Sequence, residues 1–337
     1  MIVDTFMWAG LGEKNLLLAK LNVEQNFVRH FVIAECAYSF KGTYKGLTLR
    51  RLIEEDPAFK SFREKITIIE IQENPIEKYI KKSSSGEYKV RIDVSSQIRH
   101  KIHYGLKFFA INNLKDFRNY VSEERERNLN RIYRLVEKYQ RESTRPIIYE
   151  FARDKDFVFL SDIDEILDCD SEEPSGMLSS LLEDNRTPKV LHIKKRMRLW
   201  DWNNLSPRKQ TNRLIQRSYL EKSEFSINVL RNTPDGYTIP SNTELVHEYG
   251  SCQPYDELLL KYSWYPDISP SKEELDSALK LNSELPQGKE FRGFCEVIEP
   301  FNDNQPNWVK DNLSWLRTGN INPNYMIKRQ EELPDIF

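Results

Sequence analysis

Three carboxylates, Asp162, Asp164 and Glu165, fall within four positions directly after the apolar run "FVFL" and Ser161. If the strand stays extended through Asp164, the two aspartates share one face and Ile163 takes the other. Carboxylates a few ångströms apart repel each other unless a cation lies between them, and hard oxygen ligands suit Mg²⁺ or Mn²⁺. Ligands of open α/β sheets collect at the carboxyl ends of strands, where this pair sits. Asp162 and Asp164 are therefore the first metal candidates, set against the plainer reading of a solvated acidic loop. An EF-hand is excluded, because Ile166 and Leu167 stand where it needs an oxygen ligand and a glycine. An aspartyl-phosphate phosphatase uses the same pair with the first Asp as nucleophile, but no convincing Gly-Asp pair follows downstream. A sugar-nucleotide transferase remains, the pair holding a cation against a diphosphate leaving group.

The elements that must position these residues are legible in outline. "IVDTFMW", "HFVIAECAYSF" and "KITIIEIQ" read as strands. "GEKNLLLAKLNVEQNF" and "LTLRRLIEEDPAFKSFRE" between them read as helices, the second interrupted near Pro57. That alternation is the signature of a layered α/β sheet. "KKSSSGEYK" reads as a loop. "SEERERNLNRIYRLVEKY" reads as a helix capped by Ser122. "SGMLSSLLEDN" is a shorter helix, and "KVLHIKKRMRLWDWNN" is aromatic and basic. "NTELV" reads as a strand just before His247.

The composition narrows the class. The chain has 337 residues, 39% of them hydrophobic, enough for a sizeable core. Lys and Arg number 50 against 52 Asp and Glu, for a net charge of -2, which argues against a general polyanion binder. Cys36, Cys169, Cys252 and Cys295 have no metal-type spacing and read as reduced thiols of a cytoplasmic or equivalent compartment. No apolar run is long enough to span a membrane, and "MIVDTFMW" lacks the features of a signal peptide. With no repeat and no clear linker, the expectation is one domain over 1–300 and an Asn- and Pro-rich extension, 301–337, wrapped on its surface.

"IVDTFMW", "FVIAECAYSFKG", "EERERN" and "FVFLSDIDEI" resemble, in order and spacing, glycosyltransferase family 17, the β-1,4-mannosyl-glycoprotein 4-β-N-acetylglucosaminyltransferase family. The resemblance covers the first half of the chain best. "ELVHEYGSCQPYDELLLKYSW" is similar to the family's segment around a Trp-His pair. It implies a GT-A fold (a Rossmann-like mixed sheet flanked by helices), a UDP-type nucleotide-sugar donor, Mn²⁺ or Mg²⁺, and inversion at the transferred sugar. Two positions depart from the family: Ser122-Glu123 replaces an Arg-Glu pair, and Val246 replaces the Trp before His247.

The resemblance also implies roles. His247 joins Asp162 and Asp164 at the metal or diphosphate, although a lone His is more often structural. Glu35, at the end of an early strand, meets uracil or ribose, or else caps a helix. Glu165 hydrogen-bonds the donor sugar or supports the site from behind. Arg127 matches the family's Arg beside a departing diphosphate, whereas helical phase favours Arg125. An inverting transfer needs a base, and Glu248, Asp256 and Glu257 lie in the right segment. Arg196, Arg198, Trp200 and Trp202 are assigned to the acceptor, since aromatic faces stack on sugars and on bases. A glycan acceptor is expected first and a nucleic-acid base second. The alternative from another class is a non-catalytic carbohydrate- or partner-binding module.

Overall fold

The computed structural model describes residues 1–40, 42–75, 80–82, 88–90, 136–184, 186–198, 205–239, 243–250, 252 and 304–318. The first strands follow the expected alternation. β1 (Ile2–Trp8) leads through α1 (Lys14–Glu24) to β2 (Val28–Cys36). α2 (Leu49–Glu55) then leads to β3 (Ile66–Ile71). Pro57 does interrupt the helix: Asp56 caps a separate 3-10 helix, Pro57–Lys65, through a bond from the Ala58 N–H of 2.9 Å. The stretch read as a loop near Lys81 carries a small antiparallel pair at its flanks, β4 (Ile80–Lys82) and β5 (Tyr88–Val90).

The helix expected to end at Tyr139 is described only from residue 136 and continues to 143. α3 (Arg145–Phe151), β6 (Phe157–Leu160), β7 (Glu165–Leu167), α4 (Glu172–Glu183), β8 (Val190–Arg198) and β9 (Leu205–Gln216) follow. α5 (Arg217–Lys222), α6 (Ile227–Arg231), β10 (Tyr237–Thr238) and β11 (Val246–Glu248) come next. His247 thus lies within β11 rather than after a strand. In the segment expected as an extension, α7 (Asn307–Asp311) and α8 (Leu313–Thr318) place Val309 and Leu316 in the core.

The strands form one mixed sheet in the order β3-β2-β1-β6-β9-β8-β11-β7, with β10 beside β8. β3, β2, β1 and β6 are parallel; β9 runs antiparallel to both β6 and β8. Parallel strands are covered on both faces, hence the continuous apolar runs. Alternate residues serve the two layers. Ile2, Phe6, Phe157 and Phe159 pack with Leu17 and Leu21 of α1. Val3, Val32, Val158 and Leu160 pack with Ile148 of α3, Leu220 of α5 and Leu230 of α6. The result is a mixed α/β architecture with helices on both faces.

One charged group interrupts the first layer. Lys20 Nζ of α1 lies 2.8 Å from Asp4 Oδ2 of β1 and 2.9 Å from Glu24 Oε1, and it donates to the Glu165 carbonyl at 2.5 Å. All three side chains are fully buried. Ser161 Oγ donates to Asp4 at 2.7 Å and the Leu167 N–H to Glu24 at 2.7 Å, so the triad ties α1 to the strand-end segment. Among the described residues no helix is long and apolar enough to cross a membrane.

Candidate active site

Chain order reverses between β1 and β6, and there the carboxyl ends of adjacent parallel strands leave a crevice. Trp8, Tyr38, Phe40, Lys45 and Gln140 line it together with Asp162 and Asp164, around a cavity of about 60 Å³. Gly42 (φ 81°) and Gly46 (φ 73°) fold the β2–α2 connection back, and Ala37 O accepts from the Lys45 N–H at 2.8 Å. Lys45 is held over the crevice in this way.

The acidic segment is not an extended strand. β6 stops at Leu160, and residues 162–165 turn, the Glu165 N–H donating to Asp162 O at 3.0 Å. The turn sends the two aspartates to different neighbours. Asp162 Oδ1 accepts from Arg141, and Oδ2 accepts from Arg231 at the end of α6. Asp164 O accepts from the Tyr249 N–H at 2.7 Å. The Asp164 carboxylate lies against Gly250, where an added Cβ would come within 2.9 Å of Oδ2.

Glu165 sits beneath the turn, buried, with four donors: the Asp162 N–H (2.8 Å), Asn212 (2.7 Å), Lys195 (2.6 Å) and Arg231 (2.9 Å). It supports the turn from beneath. Lys195 of β8 also pairs with Glu248 of β11 at 2.6 Å. Strand pairing sets this up, because Glu248 lies opposite Glu165 on β7 and beside Met197 on β8.

Environment separates these acids. Burial pushes Asp162 upward, but Arg141 and Arg231 outweigh it and hold the carboxyl well below the usual range. Burial likewise opposes Glu165, and Arg231 with Lys195 brings it down to about 2. Glu248 goes the other way, to about 7: burial outweighs Lys195, and the charges of Asp164 and Glu165 add to it. A carboxyl raised toward neutrality and paired with Lys195 suits proton transfer.

The structure separates several expected partners from this cluster. His247 alternates to the opposite face of β11 from Glu248. It is buried, its Nε2 lies 3.7 Å from Asp168 Oδ2, and burial lowers its pKa. It does not join Asp162 and Asp164. Glu35 takes the capping role: it accepts from the Thr48 N–H (2.7 Å), the Thr48 hydroxyl (3.0 Å) and the Leu49 N–H (2.9 Å) at the start of α2. It is fully buried. The arginines of β8 have partners within the protein. Arg196 pairs with Glu244, and Arg198 is buried and donates to the Asn304 carbonyl. Arg125, Arg127, Trp200, Trp202, Asp256 and Glu257 lie outside the described residues.

Sequence reasoning missed Arg141, Arg231 and Asn212, and read Lys195 only as part of the basic stretch "KKRMRLWDW". Lys195 had a signal: it shares a strand face with Leu191 and Ile193, where a cation requires a buried partner. The other three come from segments with no motif.

Asp162 does not fit a metal ion as it stands, because each oxygen already accepts from a guanidinium. A dication about 4–5 Å from each arginine would meet several kcal/mol of repulsion apiece at an effective dielectric constant of about 20. Asp164 lines the crevice beside Ile163. Among the described residues no group of three or more His, Cys, Asp or Glu side chains is disposed to hold a metal. No family model, curated protein or solved structure matches the chain.

Proposed function

We propose that the protein is a GT-A glycosyltransferase that moves a sugar from a nucleotide-diphosphate donor, most simply UDP-linked, to a hydroxyl of a glycan. One observation carries this reading. A crevice with aromatic walls and a lysine opens at the reversal of strand order, and a carboxylate pair closes one end of it. Nucleoside diphosphates bind in such crevices.

The chain's own residues divide the work. Tyr38, half-buried at the crevice, offers a flat apolar face to a base or a sugar ring. Lys45, which lines the crevice and lies 4.0 Å from Glu35 Oε1, supplies a cation for a phosphate. Asp164 is the residue that would hold Mn²⁺ or Mg²⁺, whose chemistry would be charge neutralisation of a diphosphate. Glu248 takes the acceptor hydroxyl proton as the acceptor oxygen bonds to the anomeric carbon. The bond from that carbon to the diphosphate oxygen breaks with inversion, and the nucleoside diphosphate leaves with the electron pair. Calorimetric titration with UDP and UDP-sugars, paired with a donor-hydrolysis assay, tests the reading. Binding of UDP and slow donor hydrolysis are expected; a non-catalytic sugar-binding module would show no hydrolysis. No affinity for any nucleotide would end the proposal.

A further inference from the structure

We infer that Gln140 reads the edge of the ligand's base: its side-chain amide, set in the crevice wall, accepts from an imide N–H and donates to the carbonyl beside it, which selects a uracil-type ring. This rests on the nucleotide reading above.

Gln140 lines the crevice with Tyr38, Ser39 and Lys45, yet it is only 3% exposed. The helical turn that carries it is pinned. The Gln140 carbonyl accepts from Ser143 Oγ at 2.6 Å, and the next residue, Arg141, donates to the Ser161 carbonyl at 3.0 Å and to Glu137 at 3.1 Å. Among the described residues the one partner of the Gln140 amide is the buried Cys36 thiol at the end of β2. Cys36 Sγ also accepts from the Tyr38 N–H at 3.5 Å. A carboxamide carries two N–H donors and an accepting oxygen. One N–H held by sulfur leaves the second N–H and the oxygen, side by side, for whatever enters the crevice. A buried amide left half-paired is unfavourable, so a ligand that completes it is favoured over one that does not.

The neighbours decide which part of the ligand the amide meets. A lysine only donates and a carboxylate only accepts, so neither tells one base from another. An amide presents donor and acceptor together, the complement of an imide edge where N–H stands next to C=O. Tyr38 supplies the other half of base recognition. It is half-buried in the crevice wall, and the Tyr44 ring meets it nearly at right angles, with centroids 5.3 Å apart and planes at 73°. That contact holds the Tyr38 ring as a stacking face. A planar edge beside a stacking face fits a heteroaromatic ring better than the puckered ring of a sugar.

The test is calorimetric titration of the full chain with UDP and with N3-methyl-UDP, for wild type and for Gln140→Met, which keeps the side-chain length and removes both polar atoms. In wild type, methylation should weaken binding at least about tenfold, because the site then holds an unpaired amide. Gln140→Met should lose about tenfold in UDP affinity and bind the two ligands within about twofold of each other, since the cycle removes their one point of contact. Wild-type UDP affinity in Gln140→Met overturns the inference. So does an equal methylation penalty in wild type and variant, or no penalty in wild type. A loss in Gln140→Met that appears with a UDP-sugar but not with UDP assigns the residue to the sugar and overturns it too. Should Gln140→Met fail to fold, Gln140→Asn decides. It keeps the amide but draws it back by one methylene, so the methylation penalty should shrink to about threefold or less; a penalty unchanged from wild type overturns the inference. UDP binding that ignores Gln140 ends this inference alone. Absence of UDP binding in wild type ends the proposed function, and this inference with it.

Discussion

The Asp4–Lys20–Glu24 triad and the cluster around Asp162 bury the same kinds of groups on neighbouring segments, yet their charge balances differ. The triad sets one cation against two acids and is sealed from solvent. The cluster sets Arg141, Arg231 and Lys195 against Asp162, Glu165 and Glu248, and Asp162 is 32% exposed to the crevice. Burial drives Glu24 well above its usual range, Lys20 only partly opposing it and Asp4 adding to it. In the cluster, cations meet the demand, and Asp162 and Glu165 stay ionised far below their usual range. A closed network can settle into neutrality; one that must face a charged ligand keeps its charges fixed. The two meet where Lys20 donates to the Glu165 backbone.

The largest break in this comparison is Lys20→Met. It strands two buried acids and should cost about 3–5 kcal/mol in urea unfolding. Lys195→Met should cost less, about 1–3 kcal/mol, because Glu165 keeps Arg231 and Asn212 and Glu248 can take up a proton. A cost for Lys195→Met equal to that of Lys20→Met would remove the distinction.

The pH dependence sharpens the contrast, since the signs are opposite. Glu24 has a raised folded pKa, so its contribution is complete below about pH 4 and is lost as pH rises through the folded value. Glu165 is depressed to about 2, so its contribution is complete above about pH 4.5 and is lost as pH falls towards 2. Melting curves from pH 2 to 8 should show Glu24→Gln flattening the alkaline slope and Asp162→Asn the acid slope. Glu24→Gln should change stability at neutral pH by no more than about 1 kcal/mol, because the amide oxygen still accepts from Lys20 and the Leu167 N–H. Swapped slopes would contradict the comparison.

Gly250→Ala is the mildest change. Its Cβ pushes Asp164 Oδ2 from 2.9 Å. Thermal melting should register less than about 1 kcal/mol, while UDP affinity in Mn²⁺ drops several-fold and affinity in EDTA does not move.

The layered α/β class was legible because the strands around β1 are long apolar runs set between helical stretches with leucine at helical spacing. The crevice end was legible from one strand, "FVFL", and its acids. Strand-end geometry was not. Extending β6 through Asp164 put both aspartates on one face, but Ser161 is already tied to Asp4 and the chain turns at once. Glu35 was ambiguous, since a carboxylate at a strand end serves a helix cap or a ligand equally well and only the Thr48 and Leu49 N–H groups decide. His247 was misplaced by a strand boundary of a few residues, and alternation within β11 then turned it away from the site. Arg141 and Arg231 reach Asp162 across the fold, a pairing that spacing along the chain cannot encode.

The centre of the sheet has a further consequence for how the chain acquires its shape. β1 takes β2 as one neighbour, but its other neighbour is β6, with Ile2 opposite Phe157. Closing so long a loop costs chain entropy before any pairing rewards it, so such topologies fold slowly. On the ribosome, β1 and its apolar flank wait beside β2 until β6 emerges. The crevice does not exist before that pairing closes. In refolding followed by stopped flow, helical signal should therefore return ahead of nucleotide affinity, and substitutions at Ile2 or Phe157 should slow the second phase more than the first.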